Sequence, residues 1–333
     1  MPRLRVSAGS SMFRQRALSA AIGLPILFGL LYLDGFPWAF GLPLLVAAVA
    51  VSTFGAEEFR RMLRHRGFHP PEDMGKMMGA LPPLLLYFYH YDYNDIVLLG
   101  LTLIIVVNVL ILALALIGDI SRRVSPRGEQ DGRHSPSGRA GAAPKQEEPP
   151  PPGGTLGALR DFLLTGIGAV YVGGLMSYLI FLRRVDDGIA PPWGMWPVAL
   201  LVAAVWIGDT AAFAAGKLLD GPKLWPRLSP GKTIAGSAAG IGACAIVFVI
   251  TAAAGVFAGP FEVGVGIAAT LGALIGVASL GGDLAESAVK RWAGVKDSGD
   301  TFPGHGGVLD RFDGLLWAAP VCFYALTAMR GAM

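Results

Sequence analysis

Ionisable side chains are concentrated in one short stretch of this sequence, from Asp283 to Asp313. At its start, Asp283, Glu286 and Lys290 recur with the spacing of a single helix face. A glycine-rich loop follows, and the stretch closes on Asp310 and Asp313. Carboxylates that hold a hard cation, beside side chains that neutralise phosphates, are what phosphoryl or nucleotidyl transfer requires. The stretch therefore predicts a phosphate-handling site that works by positioning and charge neutralisation.

A simpler interpretation of the first part of this stretch is an amphipathic surface helix. Glu286 and Lys290 are four residues apart and can form an ordinary ion pair, while Ser287 and Arg291 extend the same face. The density of charge in the loop that follows, beginning with Lys296, favours a functional site over a merely solvated helix face.

A second group of polar residues precedes this stretch. Asp209 lies inside an apolar segment, where an acid is costly and is usually functional or paired. The segment SPGKT, which contains Ser229, Lys232 and Thr233, is not a Walker A loop, because that pattern requires glycine where the chain has Pro226. We interpret it as a loop before a helix that could hold a phosphate, with a simple helix cap as the alternative.

The composition requires a membrane around these groups. Of 333 residues, 53% are hydrophobic and only 15% are charged, whereas soluble domains average about 25% charged residues. Such a chain cannot cover itself for water, so the predicted fold is all-α, a polytopic integral membrane protein with about nine transmembrane helices. The predicted spans are approximately 17–33, 37–55, 76–91, 95–118, 161–182, 195–215, 233–257, 262–282 and 313–330.

The distribution of Lys and Arg predicts the orientation. Every second connection between spans is basic, and the opposite connections carry almost no positive charge except Arg183 and Arg184. This pattern places the N-terminus and the charged stretch in the cytoplasm. Residues 121–156 are rich in Pro, Gly, Ser and charge and predict a disordered cytoplasmic linker. The linker would separate a four-helix N-terminal part, 1–120, from a five-helix catalytic part, 157–333. The predicted location is the inner or plasma membrane of the cell, with the site facing the cytoplasm.

Two other classes of protein remain open at this point. A transporter could use Asp209 as a proton relay, but the chain has no visible internal repeat and its acids cluster at one membrane edge. A purely structural membrane protein would not need so many ionisable groups in one stretch.

The run SAVKRWAGVKDSGDTFPGHGGVLDRFD, from Ser287 to Asp313, resembles the signature of phosphatidate cytidylyltransferases (CDP-diacylglycerol synthases). The segments GDTAAF and SPGKT are similar to that family as well, and the resemblance covers roughly 160–333. The chain departs from the family's loop at Gly231, where the family usually has Lys, and at Ala235, where it usually has Glu. The signature positions that match are Ser287, Lys290, Arg291, Lys296, Asp297, His305, Gly306, Gly307, Asp310, Arg311 and Asp313.

The resemblance implies transfer of a cytidylyl group from CTP to phosphatidate at the bilayer, with Mg²⁺ as cofactor and no nucleic-acid partner. A second cation and a homodimer stay open. The alternatives are a CTP-dependent lipid kinase or a cytidylyltransferase acting on another lipid. The implied metal ligands are Asp283 and Asp310. The implied catalytic residues are Asp283, Lys290, Arg291, Lys296, Asp297, His305, Asp310, Arg311 and Asp313, and the implied nucleotide- or phosphate-binding residues are Asp209, Ser229, Lys232, Thr233, Glu286, Ser287, Gly306 and Gly307.

Overall fold

The structure is a computed structural model, and the description covers the following residues. They are 29–30, 32–34, 41–88, 154–185, 195–255, 263–301 and 306–331. Within them the chain forms helices and one short β-hairpin. The elements are α1 (Leu42–His65), α2 (Met74–Phe88), α3 (Gly154–Ala169), a π-helical turn (Val170–Gly174), α4 (Tyr178–Arg184), α5 (Met195–Leu218), β1 (Lys223–Trp225), β2 (Ser229–Thr233), α6 (Ile234–Ala253), α7 (Val265–Ala293) and α8 (Leu309–Gly331).

The described residues contain six helices long and apolar enough to cross a membrane, counting α3, the π-turn and α4 as one. The all-α membrane fold is thereby confirmed, but the count of nine is not. Most of the predicted span 17–33 and all of 95–118 lie outside the described residues. The third predicted span corresponds to α2, whose 15 residues reach only about 22 Å, less than the hydrocarbon core of a bilayer.

Large apolar side chains on the outer surface support a lipid environment. Ile207, Ile246, Ile250 and Leu274 are all exposed on the long helices α5, α6 and α7. Clustered apolar groups of this size are unusual on a protein surface in water, whereas hydrocarbon covers them without cost.

Two helices extend well beyond the predicted apolar segments. α1 continues to His65 rather than ending near residue 55, because Glu57 and Arg60 form a buried ion pair within it. α7 runs unbroken from Val265 to Ala293, about 43 Å, so the predicted continuation of the eighth span through the charged face is confirmed.

The first part of the bundle is held together by close helix contacts at glycines. A Cβ added at Gly79 of α2 would lie 2.5 Å from the Ser52 carbonyl oxygen of α1, and one at Gly173 of the π-turn would lie 2.8 Å from the Gly79 carbonyl oxygen. Small residues allow backbones to approach this closely in membrane helices. The helix that starts at Gly154, inside the predicted linker, thus packs on the N-terminal helices; the rest of the linker lies outside the described residues.

In the second part, α5, α6, α7 and α8 pack consecutively against one another. Among these helix contacts, the crossing of α7 and α8 lies nearest to the charged residues. At this crossing Gly282 packs against the Asp313 carbonyl oxygen, and Gly314 packs against the Ser279 hydroxyl. This crossing brings Asp283, at the neighbouring position on α7, beside the first turn of α8.

Candidate active site

The SPGKT segment forms strand β2 rather than the predicted loop. It pairs antiparallel with β1, with Lys223 opposite Thr233 and Trp225 opposite Ser229. The hydroxyl of Thr233 accepts a hydrogen bond of 3.0 Å from the Gly236 amide and caps α6. The prediction of a loop was wrong because β1 has only three residues, too few to recognise in a sequence. For Thr233, the alternative of a helix cap is correct.

A cavity of about 830 Å³ lies between α5, α6, α7, the start of α8 and the hairpin. Its volume is within the range of about 300–1,000 Å³ that is usual for small-molecule sites. Its lining is charged at the hairpin end and small or apolar further along α5 and α6, as at Gly208 and Cys244. Most of the predicted site residues that the structure describes on α5, β2, α7 and α8 line this one cavity: Asp209, Lys232, Thr233, Asp283, Lys290, Asp310, Arg311 and Asp313.

An ion pair joins the hairpin to α7 across this cavity. The Nζ of Lys232 donates a hydrogen bond to Oδ2 of Asp283. Both side chains keep contact with solvent, at 23% and 33% exposure. Within the described part of the chain, Oδ1 of Asp283 accepts no hydrogen bond, so this carboxylate can still receive a further ligand.

The carboxylate of Asp310 is held far more tightly. Its Oδ1 accepts a hydrogen bond of 2.6 Å from Lys290, whose Nζ also lies 2.7 Å from Glu286. Its Oδ2 lies 2.7 Å from the Gly307 amide, 2.9 Å from the Ser298 amide and 3.0 Å from the Ser298 hydroxyl. These contacts fix the start of α8 against the end of α7, and Lys290 is the charged link between the two helices.

Glycine at position 306 is required by this arrangement. Gly306 has φ +83°, and a Cβ there would lie 2.5 Å from Oδ2 of Asp310. Any L side chain would therefore combine an unfavourable backbone conformation with a clash against the carboxylate. Gly306 and Gly307 act in this structure by letting the loop close on Asp310.

The remaining acids of the cavity lie close enough together for their carboxylates to repel one another. The charge of Asp283 acts on both Asp209 and Asp313, and among the described residues Lys232 and Arg311 offset the repulsion at Asp209. Carboxylates brought together in this way are relieved by a bound cation. Within the described ranges no group of three or more His, Cys, Asp or Glu side chains is close enough to hold a metal by itself.

These acids are nevertheless suitable for Mg²⁺. This ion favours oxygen ligands and is usually held by one or two carboxylates together with waters and substrate phosphates. Asp283 has an available oxygen, whereas both oxygens of Asp310 already accept hydrogen bonds. The donor set fits the ion, and Asp283 fits it more readily than Asp310.

The chain is similar to known proteins along nearly its whole length. The model of the cytidylyltransferase family matches residues 14–329. This chain belongs to the cytidylyltransferase family. The resemblance found in the run from Ser287 to Asp313 is thereby confirmed.

Several relatives of this family carry the name phosphatidate cytidylyltransferase. One from Synechocystis is 31% identical, and the match covers 93% of this chain and 95% of the relative. One from Brucella suis is 41% identical over 46% of this chain, and one from Bacillus subtilis is 34% identical over 48%. The last two matches span about half of each relative, 54% and 56% of its length.

Some residues of the family signature lie away from the cavity. The guanidinium of Arg291 donates to the carbonyl oxygens of Leu228, at 3.4 Å, and Val295, at 3.3 Å, and so ties the hairpin to the end of α7. Lys296 and Asp297 are exposed beyond that end. Their catalytic roles stay predictions.

The other predicted site residues are distributed as follows. Glu286 is buried behind Lys290, Ser287 is buried in α7, and Ser229 is half-buried on β2 outside the cavity lining. His305 lies outside the described residues. Glu286 pairs with Lys290. A phosphate-binding role for Glu286, Ser229 or Ser287 stays a prediction.

Three charged residues that line the cavity were not predicted from the sequence: Lys217, Asp220 and Lys223. A signal existed for the first: Asp209, Phe213 and Lys217 recur on one face of α5. None existed for Lys223, whose position depends on the pairing of β1 with β2. A fourth residue, Glu58 of α1, contacts the signature loop and was also missed.

Proposed function

We propose that this chain is a phosphatidate cytidylyltransferase, which converts CTP and phosphatidate into CDP-diacylglycerol and pyrophosphate. The observation that carries this proposal is the cavity in which Asp209, Asp283, Asp310, Lys232 and Arg311 meet at one end of an apolar helix bundle. Its charged end suits a nucleotide triphosphate, and its surroundings suit a lipid whose acyl chains stay in the bilayer. The full-length relative from Synechocystis that carries this name supports the assignment.

In the proposed reaction a phosphate oxygen of phosphatidate attacks the α-phosphorus of CTP. The bond between the α-phosphorus and its bridging oxygen breaks, and pyrophosphate leaves with the electron pair. A phosphomonoester is already anionic at neutral pH, since its second pKa is about 6, so the attack needs no general base. The protein must instead align the two phosphates and neutralise their charge.

The cavity side chains divide this work. Lys232 and Arg311 stand beside the acids and can bind phosphate oxygens of the nucleotide. When phosphate binds Lys232, its partner Asp283 loses a counter-charge and becomes a better cation ligand. Lys290 holds Asp310 in place from α7 and does not need to contact substrate itself.

Mg²⁺ would be held by Asp283, with Asp310 as the expected second ligand. When bound it would neutralise charge on the phosphates as they react. The binding of Mg²⁺ by Asp310 would require it to exchange one of its present hydrogen bonds for the ion.

A radiochemical assay tests the reaction. Purified protein is incubated with Mg²⁺, short-chain phosphatidate and CTP labelled on either the α- or the γ-phosphate. A cytidylyltransferase moves the α-label, and not the γ-label, into lipid. Transfer of the γ-label would instead identify a CTP-dependent lipid kinase and would overturn the proposal, as would the absence of any transfer. Replacing phosphatidate with diacylglycerol or another phospholipid tests the acceptor.

We further propose that the charged end of the bundle faces the cytoplasm of a cell membrane. Single cysteines introduced for Lys76, Arg227 and Lys296, which are exposed, should be labelled from the same side by an impermeant maleimide. A cysteine in place of Gly264, before the other end of α7, should be labelled from the opposite side. Labelling of Lys296→Cys and Gly264→Cys from the same side would contradict this topology.

A further inference from the structure

The glycine-rich loop of the signature encloses a carboxylate of the protein itself. Glu58 belongs to α1, in the N-terminal half of the chain, and its side chain reaches the loop between α7 and α8. It is 1% exposed and forms no salt bridge within the described residues. A buried carboxylate without a cation is costly unless hydrogen bonds compensate its charge.

Four donors from the loop provide that compensation. Oε1 of Glu58 accepts hydrogen bonds from the Thr301 hydroxyl, at 2.7 Å, and the Val308 amide, at 2.8 Å. Oε2 accepts them from the Ser298 hydroxyl and the Leu309 amide, both at 2.9 Å. The two amides stand at the N-terminus of α8, where unpaired N–H groups and the helix dipole favour an anion.

The glycines of the loop are explained by the same carboxylate. A Cβ at Gly299 would lie 2.7 Å from Oε1 of Glu58, and one at Gly307 would lie 2.3 Å from Oε2. The loop can close around Glu58 only if both positions lack a side chain. Glycines allow backbone to approach an anion closely, and here the anion that they approach belongs to α1.

Ser298 connects Glu58 to the cavity. Its hydroxyl lies 2.9 Å from Oε2 of Glu58 and 3.0 Å from Oδ2 of Asp310. A serine hydroxyl has one proton to donate, so it can satisfy only one of these carboxylates at a time. Asp310 keeps two amide donors on the same oxygen when the proton is given to Glu58.

We propose that Glu58 is a positioning residue for Asp310: it anchors the signature loop and the start of α8, and through Ser298 it sets the orientation of the Asp310 carboxylate. The N-terminal helices then supply an internal anion that the catalytic half needs in order to assemble. The effect on catalysis rests on the proposed function, whereas the anchoring of the loop does not.

The test compares Glu58→Gln with Glu57→Gln. Glu57 is the adjacent buried carboxylate, but it binds Arg60 and Arg61 and forms no hydrogen bond with the described residues of the loop. In Glu58→Gln the side-chain NH2 group cannot accept hydrogen bonds from the N–H and O–H donors that surround it, so the loop loses part of its anchor. We expect kcat to fall about 10- to 100-fold, the usual cost of losing an orienting partner, with a smaller change in KM for either substrate.

Hydrogen exchange gives a second readout that does not depend on activity. The amides of Val308 and Leu309 should exchange faster in Glu58→Gln and at the normal rate in Glu57→Gln. Ser298→Ala should also lower kcat, and the double variant with Glu58→Gln should lose less than the product of the two single losses, because both act on Asp310. If Glu58→Gln does not fold, Glu58→Asp, which keeps the charge on a shorter side chain, should show the same faster exchange and a partial loss of kcat.

Unchanged exchange at Val308 and Leu309, or normal kcat in a folded Glu58 variant of an active enzyme, would overturn the proposal. An equal loss of kcat in Glu57→Gln would also overturn it, since the effect would then be one of general stability. Absence of CDP-diacylglycerol formation by the unmodified protein would refute the proposed function, while the exchange measurement would still decide whether Glu58 anchors the loop.

Discussion

The carboxylate of Asp310 is held by donors on three residues and lies between a lysine and a closed loop. That of Asp283 has one partner among the described residues, a lysine, and is one-third exposed. The two acids line the same cavity. Asp310 is preorganised, because several hydrogen bonds would have to break before its carboxylate could turn. Asp283 can exchange its partner when substrate arrives. A site that must bind, react and release can use one fixed and one exchangeable acid in this way.

The largest effects should come from removing either charge. Asp283→Asn and Asp310→Asn should each lower kcat by at least about 100-fold, and the double variant should lose little more, because both acids serve one charge-neutralising unit. The measurement is turnover at saturating Mg²⁺ and CTP. Near-normal turnover in a folded Asp310→Asn protein would show that this residue only caps α8.

The variants Asp283→Asn and Asp310→Asn should also differ in their free energy of unfolding. Asp310→Asn weakens the contact with Lys290, whose side chain is 12% exposed, and should lower the free energy of unfolding by about 1–3 kcal/mol. Asp283→Asn breaks a partly exposed pair and should cost less than about 1 kcal/mol. Thermal or denaturant unfolding in detergent checks the order, and the reverse order would contradict the distinction between fixed and exchangeable acids.

Two glycines offer a matched test of the loop that closes on Asp310. Gly306→Ala places a methyl group against Asp310 in a left-handed backbone conformation and should cost about 1–2 kcal/mol of stability together with most of the activity. Gly242→Ala, on α6, meets nothing within 4 Å and lies outside the cavity lining, so it should leave both nearly unchanged. Equal behaviour of the two variants in the radiochemical assay would argue against the closed loop.

The smallest effects should arise around Asp283, the acid that can exchange its lysine partner. Lys232→Ala should raise KM for CTP more than KM for phosphatidate, by about 10-fold if one charged hydrogen bond is lost. Lys223→Ala should do the same more weakly, since Lys223 lines the cavity from β1 and can partly replace the cation absent at Gly231. Lys76→Ala, in an exposed ion pair with Asp73, is the control. An effect of Lys232→Ala confined to phosphatidate would assign this lysine to the lipid.

Sequence reasoning succeeded where the signal was local. The face formed by Asp283, Glu286 and Lys290 follows from helix spacing alone, and its continuation through Ala293 is confirmed. The approach of Asp310 to Lys290 could be anticipated only in outline, because it depends on how tightly α7 and α8 cross at glycines.

It failed where the signal was in long-range contacts. Glu58 reads as an ordinary charged residue near the end of an apolar helix, and its four donors lie about 240 positions further along the chain. No local pattern predicted that the Arg291 guanidinium would meet the carbonyl oxygens of Leu228 and Val295. The catalytic role of Arg291 stays a prediction. Strand β2 was missed because its partner is three residues long.

The contact between α7 and α8 also has an evolutionary consequence. A Cβ would lie 2.3 Å from the Asp313 carbonyl oxygen at Gly282 and 2.4 Å from the Ser279 hydroxyl at Gly314. The relative placement of Asp283 and Asp313 thus depends on two positions that have no side chain. Lineages that diverge in acyl-chain preference or in the hairpin should still retain glycine at both, and a lineage that has lost one of them should have shifted the helix crossing and with it the spacing of its acids.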